Sequence, residues 1–463
     1  MTKTHATEID RKVATLLIGV DTLFGGDALH ESGAHHMIAD QWFSGEPAPE
    51  IYHDPFSKSV RDMAQGRSTG PNPLEDPDQV SFFVSRHDLL GLTQELKGLG
   101  VDDDDGVYRN NLVKALSVML DTAMAQVGKW EMPSFEDRYF AATAGTVDSV
   151  KVADTSEGRE KLREALANVG YDVTPNRNLR ETFLEWEGAH ILDPREVARI
   201  AEVVNKLLFL DMRDRVLANL DFGIEGYKPD LSDVRFAGHR FETIQGVHFT
   251  GSNIYHGGER EGRPLLSGLF EYNTDHPITE VGMLHLCAHE VTGHYINAAV
   301  KDLLWRAGKL GFTATIGTMC TPQIGFEEGW AQNIFELMYG SREAAAEFYG
   351  KNLLVAAANE DLQDIGKHNV SILYQRDGAG IDAVKRHAAE DCVQGDAVVK
   401  KLSGGWAKHP MFGPMYGPAY LVGRKAVNEA IQKYGRMAVA RIGYSLDGEV
   451  DINTFLSKTR RLE

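Results

Sequence analysis

The sequence predicts a mainly α protein, a large helical body with a small β-sheet just upstream of a histidine-rich helix. Three observations predict it. Helical periodicity dominates from about residue 81 to 220 and returns after Pro277. Between about 234 and 274, short β-type runs alternate with glycine and proline. Directly after them comes His285-Leu-Cys-Ala-His-Glu-Val-Thr-Gly-His-Tyr-Ile-Asn297, an apolar segment holding three histidines and a glutamate.

Taken in order, residues 1–80 read as a loop-rich N-terminal arm. Val13 to Val20 forms a short buried helix, and Asp21 follows it without the small-residue cleavage site of a signal peptide. Gly25-Gly26 and Pro71-Asn72-Pro73 punctuate what comes next. Residues 81–233 form a helical region. Asp102 to Asp105 are a solvated acidic loop in it. Asp193-Pro194 supplies an N-cap with proline at the first helical position, before a one-sided stripe of Val197, Ile200, Val204, Leu207 and Leu208. Residues 234–463 hold the sheet (234–274), helices over 278–340 and C-terminal helices, and the three regions are expected to form one integrated domain. Within the sheet, Val247–Tyr255 and Leu265–Thr274 are the expected strands, parted by a turn at Gly257-Gly258 and by Pro264.

Composition narrows the function. Hydrophobic content of 43% and charged content of 25% suit a soluble globular protein. A net charge of −19 argues against nucleic acid as a partner, because such surfaces are basic. No apolar run reaches the roughly 18 residues that span a bilayer, so no membrane partner is expected. Cys287, Cys320 and Cys392 are too few and scattered for a disulfide framework, which points to a reducing compartment, the cytoplasm. Oligomeric state is not legible.

The histidine segment carries the chemistry. The zinc signature H-E-x-x-H sets its histidines four apart, on one helical face. Here His289-Glu290 is followed by His294, five residues on. On a regular helix that step leaves the second imidazole roughly 140° away from the first. A one-residue bulge would realign them, and Thr292-Gly293 stands where the distortion is needed. His30-Glu31-Ser-Gly-Ala-His35 fits the same pattern, but in a glycine-rich stretch with no strong helix around it. The second copy sits behind a plausible helix start at Ile278 and ahead of Gly325-Phe-Glu-Glu-Gly-Trp-Ala331. A glutamate on a following helix commonly completes a three-ligand zinc site, so the second copy is the candidate, with Glu327 or Glu328 as third ligand. One Zn2+ per chain is expected, and manganese or cobalt are the alternatives. His285 has no glutamate after it and reads as a support for the helix.

His289-Glu-Val-Thr-Gly-His294 resembles the H-E-x-x-G-H motif of dipeptidyl peptidase III and the five-residue spacing of microtubule-associated tyrosine carboxypeptidases. The wider neighbourhood resembles a bacterial family of helical gluzincin-like proteins. Those carry a strand ending in Asn-Thr, a helix, H-E-x-x-P-G-H-H and then E-G-W-A. This chain has Phe270-Glu-Tyr-Asn-Thr274, then His289 to His294, then Glu328-Gly-Trp-Ala331. The resemblance implies a gluzincin-like body in which His289, His294 and Glu328 bind zinc and Glu290 is the general base. It implies hydrolysis of a peptide or amide bond. An amidohydrolase acting on a specialised metabolite, or an inert metal-binding scaffold, are the alternatives. Retention of Glu290 argues against the scaffold. The chain also departs from these families: the proline is absent, the loop is one residue shorter, and Tyr295 replaces the second adjacent histidine. Gln332 stands where the dipeptidyl peptidase has an acid. The substrate, a peptide or small amide, is therefore not carried over.

Helical zinc peptidases often present a tyrosine or histidine from a glycine-rich turn running into a helix. His409-Pro-Met-Phe-Gly-Pro-Met-Tyr416-Gly-Pro-Ala-Tyr420-Leu-Val-Gly-Arg424 resembles such a turn. Tyr416 or Tyr420 is expected to stabilise an oxyanion with His409 behind them, and Arg424 to hold a substrate carboxylate. Tyr255 and His256, on an expected strand, are candidates for a substrate-binding edge.

Overall fold

A computed structural model describes residues 5–100, 104–143, 149–223, 239–247 and 249–463. Asp102 and Asp103 of the acidic run, His248 of an expected strand and the expected boundary at 233/234 lie outside them. Helices dominate and the sheets are small, so the fold is mainly α. No described helix is long and apolar enough to cross a membrane. Five strands are described: β1 (Ala39–Trp42), β2 (His239–Ile244), β3 (Gly251–Arg260), β4 (Arg263–Asn273) and β5 (Ile316–Thr318).

The first eighty residues are packed more firmly than an arm. The helix Glu8–Leu23 begins with a capping box between Thr7 and Asp10 and buries Val13, Leu16, Leu17 and Val20. Its Asp21 carboxylate accepts the backbone N–H groups of Ile38 and Ala39 at 2.9 and 3.1 Å, which ties the helix to β1. Strand β1 pairs antiparallel with β5, from the far side of the sequence.

The three-stranded sheet runs β2–β4–β3, with β4 parallel to β2 and antiparallel to β3. The sequence places its turn at Gly257-Gly258, and the structure moves it. The chain reverses at Glu261-Gly262, where both residues take positive φ (54° and 76°), as a two-residue hairpin with the native twist requires. Gly257 and Gly258 lie inside β3, where the register shifts, so they serve a bulge.

Past β4, Thr279 caps the helix Glu280–Cys287 by accepting the Gly282 N–H. The rod continues through a π-helical segment, Ala288–Tyr295, into the helix Ile296–Arg306. The helix Pro322–Ala331 opens with proline at its first turn. It packs against the helix Gly417–Tyr434 along a seam of glycines. A methyl group on Gly329 would lie 2.2 Å from the Gly423 carbonyl carbon, and one on Gly423 would lie 2.0 Å from the Gly325 oxygen. Phe326 and Trp330 of this helix are buried against each other, and burial of Phe326 contributes about 1.5–3 kcal/mol of apolar transfer energy.

Candidate metal centre

The π-helical segment supplies the bulge that the five-residue spacing needs. In a π turn the hydrogen bonds run i→i+5, so residues five apart stand over one another. His289 and His294 accordingly meet, with Nε2 atoms 3.1 Å apart and rings at 81°. Gly293 makes room for this turn: a methyl there would lie 2.7 Å from Ala331 Cβ, so the absence of a side chain lets the Glu328 helix come close. His289, Glu290 and His294 form a group that could hold a metal ion, their ligand atoms all within 4.8 Å of one another.

Glu328 approaches closer still. Its Oε2 lies 3.1 Å from His289 Nε2 and 3.8 Å from His294 Nε2. Tetrahedral zinc with bonds of about 2.0–2.1 Å spaces its ligand atoms roughly 3.3 Å apart, and the triangle of two nitrogens and this oxygen has that size. Oε2 is buried and makes no well-directed hydrogen bond despite its neighbours. Two imidazole nitrogens and a carboxylate oxygen crowded together at this spacing in a buried site are a donor set that fits a cation. Glu327 is the other candidate for third ligand, and its carboxylate is occupied by Lys301 and by Gln323 Nε2 at 3.0 Å.

The same groups perturb one another electrostatically. Burial works to raise the Glu328 carboxyl, but the two imidazoles outweigh it and hold it well below the usual range. Burial works to lower the His294 imidazole, but Glu328 reverses this and, with Glu290 and Glu327, lifts it to about 9. The Glu290 carboxyl is raised, chiefly by burial and also by Glu328, with His289, His294 and Lys367 pulling the other way. Asp40 of β1 lies within electrostatic reach of His294, Glu327 and Glu328.

The C-terminal turn reaches this group. Tyr416 donates to Glu328 Oε1 at 2.7 Å, and its hydroxyl lies 2.9 Å from that of Tyr420. The Tyr420 ring lies parallel to His289, at 6.4 Å between centroids. Burial and the Glu328 charge raise both phenols well above 10, so both remain donors. His409 stays behind them: its Nδ1 accepts the N–H groups of Met411 and Phe412, which shapes the turn. Burial lowers its imidazole to about 4, which keeps that nitrogen free to accept.

Other expected residues are engaged elsewhere. Arg424 is paired within the chain, 2.8 Å from Asp361 and 3.4 Å from Asp364. The Tyr255 hydroxyl donates to Asp302 at 2.8 Å, and its ring packs edge-on against Phe43 in the core. His256 is partly buried, with its Nε2 lacking a hydrogen-bond partner. His285 packs near Phe335, and its imidazole is pushed down to about 3, chiefly by burial. Sequence reading missed Asp40, Lys301, Lys367 and Lys401. Each reaches the site across a long separation, and only the Lys301–Glu327 pairing had a local hint, two adjacent glutamates for one ligand position.

No family model matches the chain, and no curated protein matches it. Among solved structures, a candidate lipoprotein from Colwellia psychrerythraea is similar over 88% of this chain and 72% of its own, at TM-score 0.49 and 12% identity. A candidate lipoprotein of unknown function from Shewanella oneidensis covers 89% of this chain and 80% of its own, at TM-score 0.48 and 12% identity. Trypanosoma cruzi metallocarboxypeptidase 1 covers 98% and 90%, at TM-score 0.31 and 12% identity.

Proposed function

We propose that this chain is a metal-dependent hydrolase of peptide or amide bonds, with zinc as its ion and Glu290 as general base. The observation that supports the reading is the convergence of His289, His294 and Glu328, produced by a π turn that the unusual spacing requires. Bound there, zinc supplies a Lewis acid and lowers the pKa of a coordinated water to near 7. His289 and His294 would hold the ion through their imidazoles, and Glu328 through its carboxylate. Glu290, buried beside them, accepts the proton of the attacking water and returns it to the leaving amine.

The two tyrosines divide the remaining work. Tyr416 spends its one hydroxyl proton on Glu328 Oε1 and so orients the ligand carboxylate. Tyr420 rests on the Tyr416 oxygen and has a proton to turn toward the developing oxyanion. Three unpaired, buried cysteines favour a cytoplasmic setting.

Elemental analysis of wild type and His294→Ala tests the reading. About one zinc per chain in the wild type, lost in the variant, is expected. Wild-type protein purified without chelator that retains no divalent ion would sink it.

A further inference from the structure

Lys367, in the helix Asn352–Ser371, is buried with its Nζ 3.3 Å above the Tyr420 ring and 5.7 Å from that of Trp406. Among the described residues the acid at ion-pair distance from it is Asp364, at 3.2 Å, and Asp364 is shared with Arg424 and with Gln332. Lys401 ends the helix Asp396–Lys401 and is half-buried. It donates to Thr250 Oγ1 at 3.0 Å, and among the described residues no carboxylate stands at ion-pair distance from it. The segments that carry the two lysines approach closely, since a methyl on Gly366 would lie 3.0 Å from Leu402 Cδ1, and the Lys401 ammonium feels the Lys367 charge.

Thr250 is fixed to the sheet, its carbonyl accepting the Asn273 N–H at 2.8 Å. The next residue, Gly251, lies against Leu286, one turn before Glu290. Lys401 therefore bridges the C-terminal segment and the sheet beside the metal group, and Glu290 feels the charge of both lysines. Glu360 is the other nearby acid and is hydrogen-bonded to Gln363. A half-buried ammonium held by a single neutral hydroxyl is poorly compensated, and a carboxylate is the partner that would complete it.

We propose that Lys401 and Lys367 form a carboxylate-binding pair beside Glu290, so that the substrate carries an anion close to the bond that is cut. This rests on the hydrolase reading above. It assigns to two lysines the role that Arg424, already paired, does not fill. The carboxylate is either a chain terminus or an acidic side chain.

The test uses zinc-loaded Glu290→Gln protein, which binds without turning over, and three acetylated tripeptides. One is acetyl-Ala-Ala-Ala as the free acid, one is its C-terminal amide, and one is an amide ending in Asp. Calorimetry should show the free acid binding roughly ten- to a hundredfold tighter than its amide, as expected for a charge-assisted hydrogen bond. Lys401→Met in the same background should erase that preference, and Lys401→Arg should keep it. Preference for the Asp amide supports the pair with the side chain as source. Equal binding of all three, a preference that survives Lys401→Met, or binding of none at millimolar concentration overturns the proposal. If Lys401→Met does not fold, Lys401→Gln, which can still donate to Thr250, carries the same expectation. Intact zinc and wild-type turnover without an acid preference defeat the lysine pair alone, whereas absence of zinc takes both readings down.

Discussion

The chain holds the pattern H-E-x-x-x-H twice, and the two copies end in different chemistry. In the N-terminal copy, the His30 and His35 rings pack together at 4.1 Å between centroids, tilted by 57°, around the short 3-10 turn Gly33–His35. His30 Nδ1 is used locally as acceptor for the Ser32 N–H. Ser32 and Gly33 bind Glu271 of β4, so the copy fastens a loop to the sheet. In the second copy a π turn stands the histidines over one another, and a carboxylate arrives from a helix some forty residues on. The pattern is shared, and the difference is whether the backbone turns far enough and whether a carboxylate from another helix is delivered to the pair.

That contrast can be broken in order of expected effect. Glu290→Gln should leave zinc bound while turnover falls by roughly 10²–10⁴, against no change in Glu31→Gln. Steady-state rates with metal analysis on both variants check it. His294→Ala should strip the zinc, and His35→Ala should keep it. Zinc lost from both would mean that the first copy also takes part.

Gly293→Ala should destabilise by about 1–3 kcal/mol, because the new methyl meets Ala331 at 2.7 Å. Gly33→Ala meets the Ser252 hydroxyl, a side chain that can rotate, and should cost less. Urea unfolding of the metal-free proteins gives both numbers.

The smallest effect concerns acid. His285 is held near 3, below its ordinary 6.5, chiefly by burial. A depressed pKa contributes stability that is present above 6.5 and is lost as pH falls toward 3. His285→Phe should therefore flatten acid unfolding in that window, and a fluorescence-monitored acid titration that is unchanged in this variant would refute it.

How legible this was depended on sequence distance. The helical stretches, the sheet ahead of the motif and the bulge at Thr292-Gly293 follow from local spacing. The preference for Glu328 came from the resemblance, and the geometry adds a reason: Lys301 occupies Glu327. The β1–β5 pairing left no local trace, since its strands are separated by most of the chain. Arg424 looked available because Asp361 and Asp364, on another helix, cannot be matched to it by eye. Tyr255 looked like an edge residue because a two-sided buried strand and a half-exposed one share the same residue types.

The π turn also says how this helix can change length. An extra residue in a regular helix rotates everything beyond it by about 100° and would swing the helix Ile296–Arg306 out of its core. Here the surplus is confined between His289 and His294, and the following turns keep their buried face. Deleting Thr292 would return the motif to the regular four-residue step. The shortened rod should relax to an ordinary α-helix, still present both imidazoles on one side, and leave the downstream register almost untouched. The segment is thus a point where insertion and deletion are nearly interchangeable, in a rod that tolerates neither elsewhere.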